Sequence, residues 1–377
     1  MLDKIIIIAG ATASGKTAVA LSLAHRIGGE IISADSMQVY RGMDIGTAKP
    51  SPSELAAIPH HLVSIINPSD QFSAAEFQSR ATQAILEIRA RGRVPIIAGG
   101  TGFYINALLY GAEFSDNPAE NELRPKFEKL ARERGAEFLH AKLAAADPEY
   151  AASLHANNIK RVARALAYCE ATGKLFSAHN AEQKEKPRLF DAAFFKLSLP
   201  RDVLYSRINA RTQAMFDGGL VEEVQNLLAA GFCKNLASMQ GIGYKETVQY
   251  LAGEIPLADA IAQTAQATRN YAKRQETWLR NRSARSLEAG SNFPAHEKAR
   301  QARSGHRGHM SKSAHSLEAG SNFPAHEKAR QARSGHRGHM SKSAHSLEAG
   351  SNFPAHEKTA NEIAAELEAV FRNSVSG

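Results

Sequence analysis

A chain of 377 residues, 43% apolar and 22% charged, is long enough for two or three domains and apolar enough to bury a core, which sets aside a disordered or fibrous class. Its two cysteines, Cys169 and Cys233, have neither metal spacing nor a pairing pattern, so a disulfide scaffold is excluded and reduced thiols are expected. The net charge of +8 is diffuse: residues 286–358 carry 11 Lys+Arg against 6 Asp+Glu, which leaves 35 basic and 32 acidic residues elsewhere.

Taken in order, Ile5 to Ile8 read as a buried central strand of a parallel sheet. The run is too short for a signal peptide or a membrane span, so a cytoplasmic protein without membrane contact is expected. It runs directly into Gly10, Ala11, Thr12, Ala13, Ser14, Gly15, Lys16 and Thr17, which satisfy G-x-x-x-x-G-K-[ST]. Backbone amides of such a loop curl around phosphate oxygens, Lys16 adds a cation, and Thr17 opens a helix whose dipole favours negative charge and whose hydroxyl suits Mg²⁺. The helix should continue over 18–27. A second short strand at 28–36 ends in Asp35 and Ser36, close to the phosphate loop. Residues 38–50, with two glycines, a lysine and a proline, read as a functional loop rather than a packed element.

A helix over 74–91 with Phe77, Ala81, Ile85 and Ile88 on one face precedes another buried strand, 94–98, that ends in Gly99, Gly100 and Thr101. Two glycine turns at strand ends imply a crevice between them. From 115 to 185 the composition shifts to Ala, Glu, Lys and Arg, which reads as an inserted helical subdomain. Within it Lys160, Arg161 and Arg164 make a cationic stripe beside Ile159, Val162 and Leu166, or simply a solvated face. The strand 194–200, a helix over 201–216 and a third glycine turn at 239–246 return the chain to the core. The stretch 269–285 carries Arg269, Lys273, Arg274, Arg280, Arg282 and Arg285 against Glu276.

Residues 286–315 recur without change at 316–345, and their first 13 residues recur at 346–358. Each copy offers one Leu, one Phe and one Met, too little for stacked solenoid repeats, so a disordered tandem insertion is expected. Nine of the 15 histidines fall there, at spacings that suit no compact metal site. The last segment has helical spacing at Ile363, Leu367, Val370 and Phe371 and should pack back on the core.

A phosphate loop alone fits a kinase, an ATPase or a transferase. The strand 94–98 lacks the terminal acid that holds Mg²⁺ in P-loop ATPases. Asp35 and the Thr101 hydroxyl remain near the phosphates, a set suited to moving a carbon group from a diphosphate ester onto a nitrogen or oxygen nucleophile. A small-molecule kinase, an enzyme acting on free adenine nucleotides and a non-catalytic RNA-binding protein remain open on the same residues.

Six ordered blocks carry a more specific likeness: G-A-T-A-S-G-K-T (10–17), D-S-M-Q-V-Y-R-G-M-D-I-G-T-A-K-P (35–50), P-H-H-L (59–62), G-G-T-G-F-Y (99–104), M-Q-G-I-G-Y-K-E (239–246) and A-K-R-Q-E-T-W-L-R (272–280). Together they resemble the tRNA dimethylallyltransferases over nearly all of 1–285. The resemblance implies an α/β fold with a P-loop NTPase-like parallel sheet flanked by helices. It implies transfer of a dimethylallyl group from dimethylallyl diphosphate to the N6 amine of adenosine 37, beside the anticodon, with Mg²⁺. Asp35 then resembles the general base and Thr101 the hydroxyl that steadies the diphosphate; residues 10–17 and Arg211 resemble the diphosphate site. The segments that match tRNA-contacting ones are Asp35, Ser36, Met37 and Gln38 with Thr101; Lys160, Arg161, Val162, Ala163 and Arg164; Gln240, Gly241, Ile242, Gly243, Tyr244 and Lys245; Lys273, Arg274, Gln275, Glu276, Thr277, Trp278, Leu279 and Arg280; and Arg124. Tyr244 and Trp278 are read either as stacking surfaces for bases or as core.

The expected organisation is a catalytic core in two parts (1–114 and 186–285), a helical tRNA-binding insertion (115–185), the repeat (286–358) and a terminal helix (359–377), working as a monomer. Two departures from the family pattern stand out. Ala11 replaces a proline in the phosphate loop, and the repeat directly follows the basic segment.

Overall fold

The computed structural model describes residues 4–111, 117–185, 187–280, 285–288 and 359–375. The repeat expected at 286–358 lies outside the described residues except for its first three, and Arg282 lies outside them too.

The organising layer is a parallel sheet in the order β3-β2-β4-β1-β5-β6. Its strands are β1 (Lys4–Gly10), β2 (Gly29–Ala34), β3 (His60–His61), β4 (Val94–Gly99), β5 (Asp191–Ser198) and β6 (Arg285–Glu288). The isoleucine run occupies the centre because both of its faces are covered. Ile5 and Ile7 face one helical layer, Ile6 and Ile8 the other, and all four are fully buried. The backbone of β6, which includes Ser286–Glu288 from the first copy of the repeat, extends the sheet beside β5.

The layer on the Ile5 face holds α3 (Ala74–Ala90) and α4 (Gly102–Tyr110). Ser73 and Glu76 form a reciprocal cap at the start of α3, and Phe77, Ala81, Ile85 and Ile88 are its buried face. On the Ile6 face lie α1 (Lys16–Ile27), α10 (Arg201–Asp217) and α14 (Ala360–Val375), while the short α2 (Pro52–Ala57) leads into β3. The last of these docks on α1 through Ile363, Ala364 and Leu367, with Ser22 donating to the Asn361 side chain at 2.6 Å.

Helices α5 (Pro118–Arg134), α6 (Ala136–Ala146), α7 (Pro148–Ala152), α8 (Ile159–Thr172) and α9 (Phe176–Glu185) follow without a strand between them. They close on a core of their own, built from Phe127, Leu139, Leu143, Val162, Leu166 and Phe176. A fourth cluster joins the 37–45 loop to α11 (Leu220–Ala229), α12 (Tyr244–Leu251) and the start of α13 (Leu257–Arg280).

That cluster corrects the reading of 38–50 as an unpacked loop: Val39, Tyr40, Met43 and Lys49 are buried. Lys49 donates to the Tyr40 carbonyl, to Asp44 at 2.6 Å and to Ser64 at 2.8 Å. The Glu223 carboxylate accepts the backbone N–H groups of Asp44, Ile45 and Gly46 at 2.9, 2.7 and 3.2 Å, together with the Tyr244 hydroxyl at 2.6 Å. A buried lysine and a half-buried carboxylate, each with several partners, hold a segment that lacks regular structure.

Leu367 is fully buried against α1. Leu367→Ala should lower unfolding stability by about 2–5 kcal/mol in urea titration; an unchanged midpoint would show that α14 does not contribute to the core.

Candidate active site

The first and second glycine turns expected from the sequence fall at neighbouring strand ends. β1 and β4 are paired in parallel, with Ala9 opposite Gly99. The helices that leave them, α1 and α4, pack on opposite faces of the sheet, which opens a crevice above the strand ends.

One wall of the crevice is the phosphate loop. Gly15 has φ 90°, left-handed backbone that favours glycine, and no acid occupies the first turn of α1. Ala13, at φ 65°, takes the same region without that freedom. Lys16 donates to the Ala11 carbonyl at 3.3 Å. Arg211, from α10, enters from the other side and donates to the Thr12 hydroxyl. Burial brings the Lys16 ammonium down to about 8; the Asp35 carboxylate opposes the shift and Arg211 adds to it. Burial also lowers the Arg211 guanidinium, again opposed by Asp35. Two desolvated cations beside one carboxylate make a cradle for an anion that carries more than one charge.

The other wall bears the acid. Asp35 follows β2, and its Oδ1 accepts the Met37 N–H at 2.9 Å, which fixes the carboxylate in a tight turn. The Ser36 N–H donates to the Thr101 hydroxyl at 3.3 Å and ties this turn to the end of β4. Gln38 accepts from Ser33 at 2.9 Å and donates to the Thr47 and Ala48 carbonyls, so its side chain braces the following loop.

Sequence reasoning missed Tyr271 on α13. Its hydroxyl meets the Thr101 and Gln275 side chains, and burial, with the Asp35 charge, pushes the phenol upward. The signal was its place one residue before the A-K-R-Q block, but nothing in the spacing distinguished it from a packing residue.

For Mg²⁺ the donor set is sparse: among the described residues no group of three His, Cys, Asp or Glu side chains converges. The Thr17 hydroxyl at the start of α1 and the buried, unpartnered Ser14 Oγ in the loop nevertheless suit an ion that takes most of its oxygens from a bound phosphate ester and water.

The residues expected to touch RNA divide into two sets. Lys160, Arg161, Gln240, Lys245, Lys273, Arg274, Thr277 and Arg280 are exposed, and Arg274 lies over the Tyr271 ring at 5.6 Å. Gly241, Ile242 and Glu276 are half-buried. Arg124 pairs with Glu120 at 3.8 Å and Arg164 lies over the Phe176 ring at 5.7 Å, so both are partly engaged within the helical insertion.

In the rest of these segments the side chains turn wholly or partly inward. Val162 and Ala163 face the core of the helical insertion, and Leu279 faces the sheet. Gly243 is buried at the start of α12. Tyr244 is fully buried with its hydroxyl on Glu223, so it is core and not a stacking surface. Trp278 packs so closely on Gly102 that a Cβ there would lie 2.2 Å from the indole. Gln275 is buried too: its Oε1 accepts the Thr12 N–H at 2.8 Å and its Nε2 donates to the Gly100 carbonyl at 2.9 Å.

Residues 38–282 match the family model described as IPP transferase. A tRNA dimethylallyltransferase of Bacillus velezensis is 49% identical over 278 residues, 74% of this chain and 88% of that protein. One from Geobacillus thermodenitrificans is 49% identical over 281 residues, 74% of this chain and 89% of that protein. Among solved structures, the tRNA delta(2)-isopentenylpyrophosphate transferase of Staphylococcus epidermidis superposes with a TM-score of 0.56 at 41% identity, covering 80% of this chain and 99% of that one. A eukaryotic dimethylallyltransferase acting on tRNA superposes with a TM-score of 0.66 at 28% identity, covering 79% and 77%.

The Lys16 ammonium, brought down to about 8, is progressively lost as pH rises past that value. Affinity for inorganic diphosphate, measured by calorimetry, should therefore weaken above that pH by up to about tenfold per unit relative to Lys16→Arg, whose charge persists. Identical pH profiles for the two proteins would contradict the assignment of Lys16 to the anion.

Proposed function

The chain belongs to the IPP transferase family of tRNA dimethylallyltransferases, and from that premise we propose how its own residues perform the reaction. The enzyme transfers a dimethylallyl group to adenosine 37 of tRNA. The observation that carries the mechanism is the pairing of two desolvated cations, Lys16 and Arg211, with the single carboxylate of Asp35 across one crevice.

Dimethylallyl diphosphate enters with its diphosphate against the phosphate-loop amides, Lys16 and Arg211. As the bond from the allylic carbon to oxygen breaks, negative charge grows on the leaving diphosphate, and those groups meet it without reorganising. The N6 amine of adenosine is a weak nucleophile because its lone pair is delocalised into the ring. Asp35, held by the Met37 N–H, takes the amine proton as the new carbon–nitrogen bond forms. Thr101 steadies the diphosphate from the β4 side. Members of this family generally use a divalent metal; a Mg²⁺ ion held by Thr17 and the diphosphate would neutralise charge on the leaving group.

The target base must leave its stack to reach a carboxylate inside a crevice, at a cost of about a few kcal/mol. Phosphate contacts offset that cost. Lys273, Arg274 and Arg280 on the outer face of α13 lie on the helix whose inner face reaches the site, and Lys160 and Arg161 offer a second basic patch on α8. We place the reaction on a chain acting as a monomer. No helix among the described residues is long and apolar enough to cross a membrane, and we place the activity in the cytoplasm.

In single-turnover transfer from labelled dimethylallyl diphosphate, Asp35→Asn should lower the rate by about 10²- to 10⁴-fold with tRNA affinity nearly unchanged. A rate near that of the unaltered enzyme would remove Asp35 from the role of base. The double variant Lys273→Ala with Arg280→Ala should lower the slope of log K for tRNA against log salt by about 0.7–0.9 per lost phosphate contact. An unchanged slope would take α13 off the RNA.

A further inference from the structure

We propose that Gln275 is a positioning residue that sets the width of the diphosphate crevice, and not a residue that contacts RNA. The side chain is 6% exposed and spans the crevice floor. Its carbonyl oxygen holds the Thr12 N–H on the phosphate loop, and its amide nitrogen holds the Gly100 carbonyl at the end of β4. Both turns are rich in glycine and therefore compliant, so a rigid amide between them fixes their separation. The fit is close: a Cβ at Gly100 would lie 2.1 Å from the Gln275 nitrogen, which makes the absence of a side chain there a condition for the bridge.

The consequences run along both walls. Thr12, oriented through its N–H, presents its hydroxyl to Arg211. Gly100, held through its carbonyl, precedes Thr101, whose hydroxyl receives the Ser36 N–H beside Asp35. Tyr271, one helical turn before Gln275 and on the same face, meets the Thr101 and Gln275 side chains with its hydroxyl. The inner face of α13 therefore sets both the cation that grips the diphosphate and the turn that carries the acid. Its outer face carries Lys273, Arg274 and Arg280.

The assignment rests on the transferase reading for the identity of the ester, but its test does not. Gln275→Leu in the full chain keeps the side-chain bulk and removes both hydrogen bonds. Its affinity for inorganic diphosphate with Mg²⁺, measured by calorimetry without tRNA, should fall about tenfold or more, as expected for two lost backbone contacts. In steady-state transfer, KM for dimethylallyl diphosphate should rise by a similar factor while KM for tRNA stays within about twofold. Gln275→Glu, which keeps the acceptor for Thr12 but sets a carboxylate against the Gly100 carbonyl, should also weaken diphosphate binding and leave tRNA binding intact. It serves as the test if the leucine variant melts below the assay temperature.

A rise in KM for tRNA with unchanged diphosphate affinity would overturn the proposal in favour of an RNA contact. A lowered Tm with both affinities unchanged would overturn it in favour of a purely structural role. If the unaltered enzyme binds diphosphate but labels no tRNA, the transferase reading fails, and the calorimetric comparison still decides the role of Gln275.

Discussion

The structure depends on holding Lys16 and Arg211, both half-buried, in one crevice where, among the described residues, Asp35 is the one carboxylate that acts on both. Desolvating a cation is unfavourable, and here Asp35 offsets it only in part. A fold that keeps such an arrangement is preorganised for an anion. The sheet makes it possible by pairing β1 directly with β4 while sending their helices to opposite faces. The isoleucines of β1, buried on both sides, supply the rigidity from which the phosphate loop projects. The electrostatics of the site and the packing of the core thus meet in one strand and the turn that follows it.

Around that centre the chain adds parts with separate cores. The helical insertion closes on its own apolar cluster and leaves Lys160 and Arg161 exposed. The 37–45 loop is anchored through Lys49 and Glu223, so the turn that bears Asp35 continues into a packed segment. α13 joins the levels: its basic outer face is available to phosphates, while its inner face reaches Thr12, Gly100 and Thr101. A helix 24 residues long can serve both ends because its apolar and charged faces stay separate along its length.

Much of this was legible in the chain because it is local. A strand pattern followed by G-x-x-x-x-G-K-T specifies its own geometry, and the face of α3 is written in its spacing. Pairings between distant residues carry no such signature. Nothing near Gln275 announces a partner at Thr12, 263 positions away, and nothing near Glu223 announces the backbone of Asp44 to Gly46. Segment likeness also blurs side-chain roles, since one stretch of helix carries both exposed residues and the buried ones that support them. Val162, Ala163, Tyr244 and Leu279 are of the second kind, buried beneath exposed Lys160, Arg161, Lys245 and Arg280. Residues 38–50 misled in the opposite sense: two glycines, a lysine and a proline read as a functional loop rather than a packed element, until the fold assembles three partners around Lys49.

The most direct test of the account follows the carbon group itself. The full chain would be incubated with Mg²⁺, carbon-labelled dimethylallyl diphosphate and either unmodified tRNA or the same tRNA with purine riboside, which lacks the exocyclic amine, at position 37. The account predicts label on N6 of adenosine 37, one diphosphate released for each label transferred, and no label on the purine-substituted tRNA. Label on both tRNAs, or hydrolysis of the ester without transfer to adenosine 37, would contradict it.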